Sequence, residues 1–321
     1  MKKPIIPIFF SVDDNYIPLL SVALTSMIEN SSKRFFYQIH ILHSGTISSV
    51  NQNRLTSAYD GNNIAIEFVD ISKNVEKINE KLHTRDYYSK STYYRLFIPN
   101  LYPMYDKILY LDSDIVICGD ISELYNVDLK DNLVGAITDG AILKVKPFQE
   151  YVENRVGVKH YEHYFNAGIL LMNNKKLREI NFEELFIDLL TMVKFNVAQD
   201  QDYLNAICRG KVTYIENAWN QMPINYIDYE KGKPNLIHYN LSFKPWHKDN
   251  IPYGEHFWKY AQKSPYYKEI KKIKSEYTME LQEISDAETI ELMKKATEQA
   301  LAFEENVIIN NAIAKVRAQM K

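Results

Sequence analysis

The chain has 321 residues, 46% of them apolar and 25% charged, which suffices for a large core, so a disordered chain is not expected. A formal net charge of −3 brings no excess of Lys and Arg, so a nucleic-acid partner is excluded as well. Cys118 and Cys208 stand far apart without CxxC or Cys/His spacing, which argues against a disulfide framework and a structural zinc site and fits a reducing compartment.

The opening "MKKPIIPIFFSVDD" superficially resembles a signal peptide. Two prolines interrupt its apolar run, Asp13 ends it early and it lacks a small-residue cleavage pattern, so "IIPIFFSV" is expected to be a first buried strand. "NYIPLLSVALTSMIENS" reads as a helix capped by Asn15, with Pro18 in the first turn, where its missing N–H costs little. Further strands are expected at "FYQIHILH", "NIAIEFVDI", "KILYLD", "LVGAITD", "NAGILLMN" and "KVTYIE". In "NFEELFIDLLTMVKF", Asn181 and Glu184 have capping-box spacing ahead of apolar positions at helical intervals. Strands alternating with helices predict an α/β fold, a mostly parallel sheet with helices on both faces. No stretch approaches the roughly 18 to 20 apolar residues that cross a bilayer, so a cytoplasmic chain, soluble or peripheral to the membrane, is expected.

Beyond about residue 262 the composition changes: from "KEIKKIKSEYTMELQEISD" to the C-terminus there is no Gly or Pro, and scattered apolar residues recur near helical spacing. One or two long helices are expected, dividing the chain into a domain over 1–262 and a helical C-terminal appendage over 263–321. A charged appendage on the core is the plain reading. The sharper one is a docking element for a partner, a second subunit or an anionic membrane surface, with Tyr266, Tyr267 and the run Lys268 to Lys274 touching lipid. Acidic residues further on weaken the membrane version.

The chemistry gathers where "ILYL" runs into "DSD". In a parallel sheet, ligands sit beyond the carboxyl ends of strands. Residues i and i+2 of an extended segment point to one side, so Asp112 and Asp114 can aim at one point, and such oxygen ligands suit Mg²⁺ or Mn²⁺ held together with substrate phosphates. A solvated turn is the ordinary alternative, since Asp and Ser are common turn residues. Downstream, "NLIHYNLSFKPWH" offers His238 at the end of an apolar run and Lys244 six residues later. Two carboxylates and an imidazole make a mixed oxygen and nitrogen set that favours Mn²⁺, with Mg²⁺ as the alternative, and Lys244 could set a point charge on a phosphate oxygen.

Taken in order, "FFSVDDNY", "STYYRL", "ILYLDSD", "YFNAGILLMN", "QDQDYLNAI" and "HYNLSFKPWH" resemble glycosyltransferase family 8, whose members are retaining enzymes of GT-A fold and include bacterial lipopolysaccharide galactosyl- and glucosyltransferases. The resemblance spans roughly residues 5 to 262. It implies a Rossmann-like sheet and a UDP-sugar donor, UDP-galactose or UDP-glucose. It assigns Asp13, Asn15 and nearby Ser11 to the nucleotide, Arg95 to the diphosphate and sugar, Ser113 to the ribose, and Asp112, Asp114 and His238 to the metal. Lys244 would bind the diphosphate, and Asp139, Asn166, Ala167, Asp200 and Gln201 the sugar. Asp202 could instead merely start its helix. Many relatives have glycine three residues after the histidine, where this chain has Leu241, which bears on the loop's path.

The resemblance implies hexose transfer to a hydroxyl of a cell-surface glycan, glycolipid or glycoprotein, with configuration retained. Gln201 is an amide and a poor nucleophile, which favours front-face attack, while Asp200 stays open as a transient nucleophile. The departing phosphate oxygen could take the acceptor's proton, so no protein base is demanded. Two rivals remain: a metal-dependent phosphohydrolase or nucleotidyltransferase, which would release UMP or phosphate, and a non-catalytic UDP-sugar-binding scaffold. Abundant Lys, Ile, Asn and Tyr suggest an AT-rich bacterial source.

Overall fold

All seven apolar runs expected to be strands form them, with ends within two residues of those expected. The computed structural model describes residues 3–61, 63–76, 90–224 and 233–320. In chain order the elements begin with β1 (Ile5–Ser11), α1 (Ile17–Asn30), β2 (Phe36–His43), α2 (Ser49–Tyr59) and β3 (Ile64–Asp70). Next come α3 (Ser72–Glu76), α4 (Ile98–Leu101), β4 (Ile108–Leu111), β5 (Ile115–Ile117) and α5 (Ile121–Tyr125). Then come β6 (Val134–Thr138), α6 (Gly140–Lys144), α7 (Lys146–Asn154), β7 (Phe165–Met172), α8 (Asn174–Glu179), α9 (Phe182–Met192), α10 (Asp200–Cys208) and β8 (Val212–Tyr214). The last elements are β9 (Leu236–His238), α11 (Gly254–Ala261), α12 (Tyr267–Glu276), α13 (Met279–Leu301) and α14 (Phe303–Arg317).

Two compact units result, each assembled from separated segments. The first comprises Met1–Ile71, Leu109–Val127 and Glu216–Ala287. Its strands β3, β2, β1 and β4 lie side by side and all parallel, with Ile8 opposite Ile39 on one side and Leu109 on the other. α1 is apolar nearly all round and correspondingly buried from Ile17 to Met27, packed against β5, α11 and α12. Polar groups fix it there: Asn30 Nδ2 donates to Ile117 O (2.9 Å) and Tyr260 Oη (2.8 Å). The cap expected from Asn15 comes from Asp13, whose carboxylate accepts from the N–H groups of Asn15 and Tyr16 in a 3-10 turn ahead of α1. β5 and β9 form a separate antiparallel pair that the strand periodicity does not reveal, because each has only three residues.

The second unit comprises Ser72–Ile108, Asp128–Ile215 and Glu288–Lys321. Here β6 pairs antiparallel with β7 and parallel with β8, so the sheet is mixed but mostly parallel, as expected. α9 starts after Asn181 as expected, but Asn181 adopts a left-handed backbone (φ 53°) and its side chain makes no capping bond.

The C-terminal sequence forms three helices where one or two were expected. α12 belongs to the first unit: Arg54 bonds Glu269 (2.6 Å) and lies 4.1 Å over the Tyr266 ring. Tyr266 is buried and donates to Asn51, so of the two tyrosines expected at a lipid surface only Tyr267 keeps partial exposure. α14 belongs to the second unit and packs Ile309, Ile313 and Val316 against α9 and α10. Among the described residues, no helix is long and apolar enough to cross a membrane.

Candidate active site

The first unit carries one cluster. β4 is completely buried, and its four apolar residues hand the chain to Asp112, Ser113 and Asp114 at the carboxyl edge of the sheet. β1 runs parallel to β4 with Phe9 opposite Tyr110, so Ser11, Asp13 and Asn15 leave the sheet at the same edge. The pairing of β5 with β9 sets Ile115 opposite His238, which brings an imidazole from far downstream to the acids. His238 Nε2 lies 3.3 Å from Asp114 Oδ1 and 3.8 Å from Asp112 Oδ2. Its Nδ1 sits 3.0 Å from Asn220 Oδ1, a contact that holds the ring with Nε2 turned toward the carboxylates.

One ligand atom from each of Asp112, Asp114 and His238 falls within 4.8 Å of the others, a spacing that suits a divalent cation with oxygen and nitrogen donors. Lys244 adds a cation: its Nζ is 2.5 Å from Asp114 Oδ2 and 2.5 Å from Tyr239 O. Burial pushes the Asp114 carboxyl up, but the Lys244 ammonium and the His238 ring together outweigh it and hold the group well below the usual carboxylate range. The loop that delivers Lys244 is anchored by Trp246, buried against Phe257 at 5.0 Å between ring centres. Leu241 within that loop has φ 51°, the left-handed conformation that glycine adopts freely.

A second cluster lies in the second unit, around the start of α10. Asp139 comes directly after β6 and uses one oxygen to cap α6, accepting from Ala141 N and Ile142 N. Its other oxygen accepts from Asn166 Nδ2 and Gln201 Nε2, both at 3.0 Å. Gln201 Oε1 in turn accepts from Ala167 N at 2.9 Å. Arg95 is buried, its Nε 3.1 Å from Asp200 Oδ2, and it also donates to Ala167 O. Arg95, Asp139, Asn166, Ala167, Asp200 and Gln201 are thus joined by direct contacts.

Sequence reasoning named Asp202 as a residue that could merely start its helix, and missed the partners that hold it, Tyr151 and Tyr164. Asp202 lies in the first turn of α10, fully buried, accepting from Tyr151 Oη (2.8 Å), Tyr164 Oη (2.7 Å) and Ala198 N (2.9 Å). Burial, reinforced by the Asp202 charge, raises both phenols well above their usual range, so they remain donors. Asn205 ties α10 to β7 by bonding both the N–H and the carbonyl of Phe165. Tyr164 adjoins the "FNAG" motif and Asn205 lies in "DYLNAI"; Asn220 and Tyr151 carry no comparable sequence signal.

The chain is similar to known proteins. The model of the family described as glycosyl transferase family 8 matches residues 7–250. A Haemophilus influenzae protein provisionally described as a glycosyltransferase is 34% identical over 75% of this chain and 73% of its own. The lipopolysaccharide 1,2-glucosyltransferase of Escherichia coli is 27% identical over 80% of this chain and 78% of its own. Among solved structures, the galactosyltransferase LgtC, complexed with donor and acceptor sugar analogs, has a TM-score of 0.69 at 28% identity, covering 81% of this chain and 96% of LgtC. The bifunctional glycosyltransferase WbbM has a TM-score of 0.73 at 29% identity over 85% of this chain, which spans about half (52%) of WbbM.

Proposed function

The chain belongs to glycosyl transferase family 8, a hexosyltransferase of GT-A fold, and on that premise we propose that it moves galactose or glucose from a UDP-sugar to a hydroxyl of a cell-surface glycan. The observation that carries this reading is the convergence of Asp112, Asp114 and His238, with Lys244 against the same acid.

In this reading Asp112, Asp114 and His238 hold Mn²⁺, with Mg²⁺ as the alternative. A bound divalent cation supplies neutralisation of the charge that builds on the diphosphate as the glycosidic bond breaks. Asn220 keeps His238 Nε2 turned toward it. Lys244 places its ammonium on a phosphate oxygen, where a point charge in a water-poor site favours departure of UDP. Ser11, Asp13, Asn15 and Ser113, at the exits of β1 and β4, take the nucleoside. Arg95, Asp139, Asn166, Ala167, Asp200 and Gln201 take the sugar. Asp139 and Gln201 present one acceptor and one donor to each other, and can exchange that bond for sugar hydroxyls at little cost in unpaired polar groups.

Gln201 cannot act as an effective nucleophile, and Asp200 faces the Arg95 guanidinium, which lowers the carboxylate's readiness to attack. Front-face attack by the acceptor hydroxyl, whose proton passes to the departing phosphate oxygen, is then the route to retention. Exposed Lys259, Lys263, Lys268, Lys271 and Lys272 on and between α11 and α12 support peripheral contact with anionic lipid, where a glycolipid acceptor would reside. Incubation with a panel of UDP-sugars, with and without Mn²⁺, tests the reading: release of UDP from one galactosyl or glucosyl donor is expected. Release of UMP or phosphate would identify a phosphohydrolase, and binding without release a scaffold.

A further inference from the structure

α14 is tied to α10, which carries Asp200 and Gln201 of the proposed sugar-binding cluster, and to α7, whose Tyr151 bonds Asp202. At the far end of α10, Arg317 donates to the carbonyls of Ala206 (3.2 Å), Ile207 and Arg209 (2.9 Å). The last carbonyls of a helix have no partner within it, and a guanidinium there meets both their hydrogen-bonding need and the negative end of the helix dipole. At the end of α7, Arg155 is buried with its side chain only 4% exposed, and bonds Glu305 (2.7 Å) and Asn306 (3.1 Å), both from α14. Asn310 of α14 donates to Asn154 O at 2.9 Å. It approaches Gly157 so closely that a β-carbon there would stand 2.1 Å from Asn310 Oδ1. Four residues before Arg155 on α7 is Tyr151, the donor to Asp202.

We propose that α14 is a positioning element of the sugar-binding cluster. Arg317 and Arg155 fix α10 and α7, so that Asp202 stays bonded to Tyr151 and Gln201 stays in register with Asp139 and Ala167. The catalytic consequence rests on the reading of Gln201 and Asp139 as sugar ligands; the positioning itself does not. A nine-residue helix is about 13 Å long, so a tilt of about 5° at one end shifts the other by about 1 Å. A displacement of that size can cost roughly 100-fold in rate.

Arg317→Ala tests the inference in the full-length protein, with two readouts. The rate constant kcat for UDP release from the preferred UDP-sugar should fall at least tenfold, while UDP binding in the presence of Mn²⁺, measured by calorimetry, changes less than threefold. Amide hydrogen exchange over 198–205 should rise. Arg317→Lys, which keeps the charge but reaches fewer carbonyls, should recover part of both losses. Val307→Ser, on the exposed side of the same helix, should match the wild type. A kcat within twofold of wild type together with unchanged exchange over 198–205 in Arg317→Ala would overturn the proposal. If the wild type releases UDP from no donor, the functional reading fails, and the exchange measurement alone decides the positioning.

Discussion

Lys244 sets its ammonium 2.5 Å from Asp114 Oδ2, on a carboxylate that also faces His238. A lysine in that position is the counter-ion of a carboxylate proposed to hold the metal, and it would compete with any cation that acid binds. Two unit charges 4 Å apart interact by about 4 kcal/mol at an effective dielectric of 20, enough to alter metal affinity measurably.

Lys244→Met should therefore separate two effects that a purely catalytic lysine would not. Mn²⁺ affinity in the absence of nucleotide should rise by about tenfold, because a competing charge is gone, while UDP release slows by roughly 100-fold or more. Calorimetric titration with Mn²⁺ gives the first and a turnover assay the second. A weaker Mn²⁺ affinity in the variant would refute the counter-ion role.

Asn220 touches none of the reacting groups, yet Asn220→Ala should weaken Mn²⁺ binding by roughly 10- to 100-fold, since the His238 ring loses the partner that holds its orientation. Paramagnetic resonance of free Mn²⁺ reads this directly. Wild-type affinity in the variant would mean that β9 alone orients the ring.

His247 should make stability fall with acidity. Burial, assisted by the charges of Lys244 and Lys248, pushes its pKa down to about 4, against about 6.5 in the unfolded chain. Between those values the unfolded chain takes up a proton that the folded one refuses, so the contribution is complete above pH 6.5 and is lost as pH falls toward 4. His247→Phe keeps an aromatic ring against Tyr277, 4.2 Å away in the native stack, and removes the titration. Urea unfolding midpoints should decline less steeply from about pH 6.5 to about pH 4 in this variant; an unaltered slope would assign the acid sensitivity to other groups.

Leu241→Gly should leave stability unchanged or raise it by up to about 1.5 kcal/mol. Relief of left-handed strain is worth about 1–2 kcal/mol, against roughly 0.5–1 kcal/mol for the added freedom of glycine in the unfolded chain. Urea denaturation measures the balance, and a loss of more than about 1 kcal/mol would show that the leucine side chain's packing outweighs its backbone strain.

The sheet was legible in the sequence because a strand buried on both faces writes an unbroken apolar run, as "ILYL" and "NAGILLMN" do. The acids of "DSD" were legible for the same reason, as charges at the end of such a run. The pairing of β5 with β9 was not, since three residues per strand give no periodicity, and that pairing is what carries His238 to Asp114. The bonds from Tyr151 and Tyr164 to Asp202 were equally hidden. They join residues 51 and 38 positions apart, and a tyrosine destined to bond a buried carboxylate has the same composition signature as one that simply fills the core. Arg317 and Arg155 likewise read as ordinary helix charges until the carbonyls and amides they meet are located.

The most direct measurement of the central claim is the anomalous scattering of Mn²⁺ in crystals grown with UDP. A single strong peak is expected, bonded to Asp112, Asp114, His238 Nε2 and both phosphates of UDP, with Lys244 moved from Asp114 onto a phosphate oxygen. Manganese bound elsewhere, or UDP bound with those three side chains pointing away from its phosphates, would contradict the account.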